Sequence, residues 1–251
     1  MTEPRSLGVI ILAAGEGKRM KSSLPKVLHP VGGLPMIRHV VRTARTLKPD
    51  RIVVVVGTGK ERIRKALDGH GIRFVEQPRQ LGTGHAVLQA RGEFEGFEGD
   101  VLVLSGDVPL LSEMSLDKLL FTHYVSRAAA TYMTVIFDNP SGYGRVIKNG
   151  QGDLFKIVED KDCSPRQKDI REVNAGVYVF DASLLFRYLP EVGNANAQGE
   201  YYLPEVQEFM RSAGHPVALY QVADPREVAG VNTPEQLVQV NRIYGELHEK
   251  N

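Results

Sequence analysis

The chain has 251 residues, of which 42% are hydrophobic and 24% charged, enough length and apolar content to bury the core of one large domain or two modest ones. Lys plus Arg number 31 against 30 Asp plus Glu, and the formal net charge of +1 excludes a general attraction to nucleic acid or to an anionic membrane surface. One cysteine, Cys163, excludes an internal disulfide framework and suits a reducing, cytoplasmic compartment.

Arg5 followed by the apolar stretch Leu7 to Ala14 imitates a short signal peptide. The run ends in Gly-Glu-Gly-Lys-Arg and not in a small-residue cleavage site, so it reads as a buried strand. No stretch approaches the ~18 apolar residues of a membrane span. Apolar runs at Val9–Ala13, Ile52–Val56 and Val101–Leu104 each lead into glycine-containing loops. Continuous Val/Ile/Leu runs of this kind predict strands covered on both faces, as in a parallel sheet. Between the first two strands, Pro35 opens a helix at its first turn, and Met36, Ile37, Val40, Val41, Ala44 and Leu47 form one apolar stripe. Further helices are predicted near 60–69, 84–92 and 113–126. From about residue 131 the rhythm changes to short β-like pieces at Ala130–Phe137, Gly144–Lys148, Leu154–Val158 and Val173–Phe180. At the end of the chain Thr233 caps a helix with Pro234 at its first position, and Leu237, Val240, Tyr244 and Leu247 supply its apolar face.

This alternation predicts an α/β fold on a mostly parallel sheet, with ligands beyond the carboxyl ends of the strands. No repeat or long linker divides the chain. It reads as a single domain over 1–251 with two lobes, about 1–130 and about 131–251, the second smaller and richer in β-structure.

The loops after strands therefore carry the chemistry. Leu12-Ala13-Ala14-Gly15-Glu16-Gly17-Lys18-Arg19-Met20 combines glycines, which let backbone N–H groups approach a phosphate, with basic countercharge. It is neither a Walker A loop, which would need glycine at Leu12, nor a full dinucleotide fingerprint, since Met20 stands where the third glycine belongs. Gly57-Thr58-Gly59-Lys60 fails the same tests. Alone, the first loop is as compatible with an ordinary glycine turn as with phosphate binding. In Gln77-Pro78-Arg79-Gln80-Leu81-Gly82-Thr83-Gly84-His85-Ala86, Gln77 offers an amide donor and acceptor suited to a nucleobase edge, Gly82 permits close approach and Thr83 adds a hydroxyl. His85 reads as packing at the helix start, and none of the 7 histidines shows a metal-ligand spacing. Asp107, at the end of the strand Val101–Leu104, is a suitable Mg²⁺ ligand or else a structural turn aspartate.

The continuation Leu24-Pro25-Lys26 and Gly32-Gly33-Leu34-Pro35-Met36 completes a pattern that resembles the nucleotidyltransferases joining a nucleoside triphosphate to a sugar phosphate. Within them, Gln77 with Leu81-Gly82-Thr83-Gly84-His85-Ala86, Gly106-Asp107-Val108-Pro109-Leu110, Gly142-Tyr143-Gly144-Arg145, Val158-Glu159-Asp160-Lys161-Asp162, Asn174-Ala175-Gly176 and Asn196-Ala197-Gln198-Gly199-Glu200-Tyr201-Tyr202 are similar to segments of the N-acetylglucosamine-1-phosphate uridylyltransferase family, which serves bacterial envelope synthesis. The resemblance spans residues 8 to about 245.

It implies a Rossmann-like nucleotidyltransferase fold and transfer of a uridylyl group from UTP to N-acetyl-α-D-glucosamine 1-phosphate. It assigns Arg19 and Lys26 to catalysis, Leu12, Ala13, Ala14, Gly15, Gln77, Gly82 and Thr83 to the nucleotide, and Gly142, Glu159, Asn174 and, less directly, Tyr202 to the amino sugar. Glu159 is expected to accept from sugar hydroxyls. Asp107 and Asn232 are the implied Mg²⁺ ligands. A tyrosine can stand at Ser105 in the family, so that position carries no assigned role. Cys163 lies in a polar stretch with nothing to make it a nucleophile. The main competing reading is the same transfer with another sugar 1-phosphate, glucose or N-acetylgalactosamine; a cytidylyl transfer shares the first loop, but the segments at 81–86, 142–145 and 196–202 argue against it, and Arg19, Lys26, Asp107 and Asn232 count against a silent nucleotide-sugar sensor. Bacterial members continue into a β-helix of hexapeptide repeats that acetylates and trimerises. None is recognisable here, so no acetyltransferase activity is expected of this polypeptide and its oligomeric state stays open.

Overall fold

The computed structural model describes residues 5–248; residues 1–4 and 249–251, the ends of the expected 1–251 domain, lie outside the described residues. The first strand, β1 (Ser6–Ala13), is followed by two 3₁₀ turns at Lys18–Met20 and Lys26–Leu28 and a two-residue ribbon, β2 (Pro30–Val31) with β3 (Leu34–Pro35). Helix α1 (Met36–Thr46) then leads to β4 (Arg51–Val56), α2 (Lys60–Ala66), β5 (Arg73–Glu76), α3 (Thr83–Gln89) and β6 (Gly99–Ser105). Pro35 sits at the N-cap of α1 and in β3, outside the helix, because that ribbon turns the chain onto the sheet before the helix starts. The helix expected near 84–92 ends at Gln89, and a separate 3₁₀ turn covers Arg91–Phe94.

The second half contains α4 (Glu113–Val125), β7 (Ala130–Ile136), β8 (Arg145–Lys148), β9 (Leu154–Val158), α5 (Pro165–Lys168), β10 (Glu172–Asp181), α6 (Ala182–Tyr188), α7 (Val206–Ser212), β11 (Val217–Gln221) and α8 (Pro234–His248). As expected, Thr233 caps the last helix: its Oγ1 accepts from the Gln236 N–H at 3.3 Å.

The strands form one nine-stranded sheet with the order β11-β7-β10-β6-β1-β4-β5, while β8 and β9 hang from β10 as a hairpin. The runs β6-β1-β4-β5 and β11-β7 are parallel. Strand β10 is antiparallel to both its neighbours, β6 and β7, and joins the two runs. The β-rich second half thus continues the same sheet.

Val53, Val54, Val55 and Val56 of β4 and Ile10 and Ile11 of β1 are fully buried between the helical layers. Burying an aliphatic side chain of this size contributes roughly 1.5–3 kcal/mol relative to leaving it in water. The core this builds holds the carboxyl ends of β1, β4 and β6 in fixed register, Ala13 beside Val56 and Leu12 beside Ser105. The loops that leave these ends share one edge.

Candidate active site

At that edge lies a cleft of about 250 Å³ lined by Leu12, Ala13, Ala14, Gly15, Lys26, Val27, Gln77, Gln80, Gly82, Thr83, Ala86, Ser105, Asp107 and Glu200. All seven residues assigned to the nucleotide line it, together with Lys26 and Asp107. Asn232 joins through Lys26, and Arg19 through Asn232. The Lys26 ammonium is hydrogen-bonded to the Asp107 carboxylate and, at 2.9 Å, to Asn232 Oδ1, which also accepts from Arg19 Nη2 at 3.0 Å. The backbone makes this convergence: the Val231 N–H donates to the Asp107 carbonyl at 3.0 Å and ties the loop after β6 to the segment entering α8.

Gly17 lets Lys26 reach in. Its φ of 64° is left-handed, and a Cβ there would stand 2.8 Å from Lys26 Cβ. Gly82 does the same on the other wall. With φ 103°, it leaves no room for a Cβ, which would lie 2.6 Å from the Tyr201 carbonyl oxygen. The Tyr201 segment is laced to this loop by Gly84 N–H to Tyr201 O at 2.8 Å and Tyr201 N–H to Leu81 O at 2.8 Å. The Thr83 hydroxyl is used structurally, accepting from the Leu203 N–H at 3.0 Å.

The resemblance implies a divalent cation. Asp107 Oδ2 and Asn232 Oδ1 already face a single positive centre, the Lys26 ammonium. One carboxylate and one amide oxygen, with the other positions left to water and phosphate, are the donor set Mg²⁺ takes at phosphate sites. Among the described residues no group of three or more His, Cys, Asp or Glu could hold a metal.

The residues assigned to the sugar sit beside this cleft on the β10 side. The Asn174 N–H donates to Gly144 O at 2.8 Å, and Gly144 packs so closely that a Cβ would lie 3.0 Å from Glu159 Oε1. Gly142 stands two residues upstream in the same loop, with φ 84° and open space beside it. Asn174 is held by two bonds, from its Nδ2 to the Tyr178 hydroxyl at 2.7 Å and from the Gly176 N–H to its Oδ1 at 3.2 Å, where the β10–β7 register shifts. Ser105 links the two regions by donating to the Gly176 carbonyl at 3.4 Å. Tyr202 is buried with its hydroxyl between Gln198 Nε2 at 2.8 Å and Asp162 Oδ2 at 3.4 Å, and desolvation pushes its pKa up to about 12. It braces the 196–202 loop.

Three side chains escaped the sequence reading as site residues. Gln80 and Glu200 line the cleft, and Tyr178 orients Asn174. Gln80 and Glu200 were quoted only as links in motifs and Tyr178 fell only within the strand Val173–Phe180, so none gave a separate signal. Arg145 of the Gly-Tyr-Gly-Arg loop is buried, pairing with Asp160 at 2.9 Å and with the Tyr143 carbonyl, and so fixes the loop from inside. Cys163 is buried, with its thiol donating to Val158 O at 3.4 Å, and burial pushes its pKa up, away from nucleophilic use.

Glu159 sits in a desolvated, acidic setting. Burial, followed by the neighbouring Asp162, Glu200, Glu205 and Asp160 carboxylates, pushes its pKa up to about 7. Near neutral pH a carboxyl of this pKa is partly protonated and can donate as well as accept. A folded pKa above the unfolded one means that the folded state binds the proton more tightly. Stability from this group is full below the unfolded value of 4.5 and is lost as pH rises through about 7. Glu159→Gln removes that loss, so its melting temperature relative to the parent should climb by several degrees between pH 5 and 8. A difference that stays constant across that range would contradict the raised pKa.

A mostly parallel sheet with a Gly-Lys-Arg loop after its first strand, a cleft over the carboxyl edge and a carboxylate–amide pair on a shared cation defines an α/β nucleotidyltransferase fold. The chain belongs to the family of MobA-like NTP transferase domains, whose pattern matches residues 9–232. It is 48% identical over 236 residues to the bifunctional protein GlmU of Pelotomaculum thermopropionicum, covering 94% of this chain and 51% of that protein. Against the bifunctional protein GlmU of Listeria monocytogenes serotype 4b (strain CLIP80459) it is 45% identical over 246 residues, covering 96% of this chain and 54% of that protein. The chain therefore spans about half the length of the curated relatives it matches. A solved structure from Bacillus anthracis, described as a glucose-1-phosphate thymidylyltransferase in complex with sucrose, superposes with a TM-score of 0.73 at 19% identity over 95% of each chain, a likeness of fold. Among the described residues no helix is long and apolar enough to cross a membrane.

Proposed function

We propose that the chain transfers a uridylyl group from UTP to N-acetyl-α-D-glucosamine 1-phosphate, giving UDP-N-acetylglucosamine and pyrophosphate in the cytoplasm. The observation that carries this reading is the meeting of the seven nucleotide-loop residues with Lys26 and Asp107 in one cleft, Asn232 linked to them through Lys26 and Arg19 through Asn232. Family membership and the GlmU relatives support it.

The sugar phosphate brings its own nucleophile. With a second pKa of ~6, by analogy with phosphorylated side chains, it is ionised near neutral pH and needs no general base. One of its oxygens forms a bond to the UTP α-phosphorus, and the bond from that phosphorus to the β-phosphate oxygen breaks in line, pyrophosphate leaving with the electron pair. Backbone N–H groups of residues 12–15 and the Arg19 and Lys26 cations stabilise the phosphoryl charge. Gln77 and Gly82 hold the base; Gly142, Glu159 and Asn174 orient the sugar, with Tyr202 bracing their wall. Mg²⁺ held by Asp107 and Asn232 would neutralise charge on the two phosphates brought together there.

Pyrophosphate release measured with UTP and Mg²⁺ tests the proposal, comparing N-acetylglucosamine 1-phosphate, its galacto epimer and glucose 1-phosphate. A kcat/KM highest for the first is the expected result. Preference for another sugar would overturn the roles given to Glu159 and Asn174, and no turnover with any of them would overturn the reaction.

A further inference from the structure

We propose that His85 is a positioning residue that turns the Gln77 amide so that its oxygen, and not its nitrogen, is presented to the nucleobase. The inference deepens the uridylyl reading and rests on it.

Gln77 is buried at the cleft wall, and one end of its amide lies 3.0 Å from the Gly82 carbonyl oxygen and 3.0 Å from His85 Nδ1. A carbonyl oxygen only accepts, so the atom facing it is the amide nitrogen. That nitrogen has two hydrogens, one for Gly82 O and one for His85 Nδ1. The imidazole must therefore receive at Nδ1 with a lone pair. Burial, and secondarily the Arg79 charge, lowers the His85 pKa below the usual histidine value and favours the neutral ring this requires.

With Nδ1 accepting, the ring proton sits on Nε2, whose neighbour at 3.3 Å is the Gln89 amide. Gln89 is half-buried and its Nε2 donates to the His85 carbonyl at 3.1 Å, so its longer approach to the ring carries no hydrogen bond in this tautomer. Gln77 is the more buried of the two and the nearer to the ring, at 3.0 Å against 3.3 Å, so its contact fixes the tautomer.

Both Gln77 N–H groups are consumed in this arrangement. Among the described residues no donor reaches Oε1, which remains as a free acceptor on a residue that lines the cleft. An acceptor in this place is complementary to a base bearing an imide N–H, as uracil does at N3, and opposes cytosine, which has a lone pair there. Without a partner at Nδ1 the amide loses one of its two anchors, and the flipped orientation, which offers a donor, comes within reach. His85 thus sets base selectivity from behind Gln77, from the first turn of α3.

Four variants of the full chain test this: His85→Phe, which keeps ring bulk without an acceptor, His85→Asn, which restores a short polar acceptor, Gln77→Ala, and His85→Phe combined with Gln77→Ala. Steady-state kinetics with UTP and CTP, the sugar phosphate saturating, are the readout. For His85→Phe we expect KM for UTP to rise and UTP-over-CTP discrimination in kcat/KM to fall, each about tenfold, with kcat within about threefold of the parent. His85→Asn should recover most of the discrimination. In the Gln77→Ala background His85→Phe should cost nothing further, because the two act as a unit.

Unchanged discrimination in His85→Phe, equal damage in the Phe and Asn variants, or additive effects with Gln77→Ala would each overturn the positioning role. Should the Phe variant fail to fold by thermal melt, His85→Ala, which adds no bulk, takes its place in the same cycle with the same outcomes. A parent protein that turns over CTP and not UTP would overturn the uridylyl reading itself, whereas normal UTP selectivity in both parent and His85→Phe sinks only the role of His85.

Discussion

Lys26→Met is expected to lower kcat about 10²–10³-fold, the usual cost of removing one charge-stabilising donor from a transition state. Methionine keeps the length of the apolar stem, which matters because the Lys26 side chain is only 15% exposed and packs under Gly17. What it removes is the ammonium bound to Asp107 and Asn232. Two consequences separate this from a general loss of fold. Lys26 and a divalent cation would share the same two oxygens, so the variant should need less Mg²⁺ for half-maximal rate. Without Mg²⁺ the Asp107 carboxylate loses its cationic partner, so the variant should melt below the parent in chelator and recover when Mg²⁺ is added. Arg19 is exposed and bonded to Asn232 alone in this cluster, and Arg19→Met should cost kcat less. A Lys26→Met enzyme within threefold of the parent would remove Lys26 from catalysis.

The first half of the fold was legible because β1, β4 and β6 are continuous apolar runs, the one pattern that a strand buried on both faces must show. Strand β5, Arg73–Glu76, is only four residues long with charged ends, and β11, Val217–Gln221, is a partly exposed edge of mixed residues; neither has a period long enough to detect. Helices α6 and α7 are seven residues each and are set by packing against their neighbours more than by any stripe of their own. The place of β10 could not be read at all. Its sequence looks the same whether it lies at an edge or, as found, antiparallel between β6 and β7, since strand order is decided by contacts far apart in the chain.

The site divides along the same line. The loop 12–15 and Gln77, Gly82 and Thr83 follow strand ends, and a parallel sheet brings such ends to one edge, where all of them line the cleft. Glu159 was found as a residue but not as an acid with a raised pKa, because Glu200 and Glu205 reach it from a segment about forty positions away. His85 was read as helix packing. Spacing along the chain does not reveal that its ring nitrogen faces an amide eight residues earlier.

Asp107→Asn should be the most damaging single change to metal use: the Mg²⁺ concentration for half-maximal rate rises at least about 10–100-fold, the range for lost supporting ligands, with kcat depressed even at saturating metal. Among the described residues the carboxylate is the sole negative group on the Lys26 ammonium, since its other partner is the neutral amide of Asn232. Asparagine keeps the shape and leaves the backbone tie intact, because the Val231 N–H bonds to the residue-107 carbonyl and not to its side chain. The substitution therefore removes charge and little else. Thermal melts with and without Mg²⁺ give a readout independent of turnover: the parent should gain stability from the ion and Asp107→Asn should not. Asn232→Ala removes a neutral amide oxygen, leaves the charge of Asp107 in place and deprives Lys26 and Arg19 of one shared acceptor. Its demand for Mg²⁺ should rise less than that of Asp107→Asn. The opposite ranking, or a parent whose melting temperature ignores Mg²⁺ in the presence of UTP, would move the cation away from Asp107 and leave that carboxylate only the task of holding Lys26.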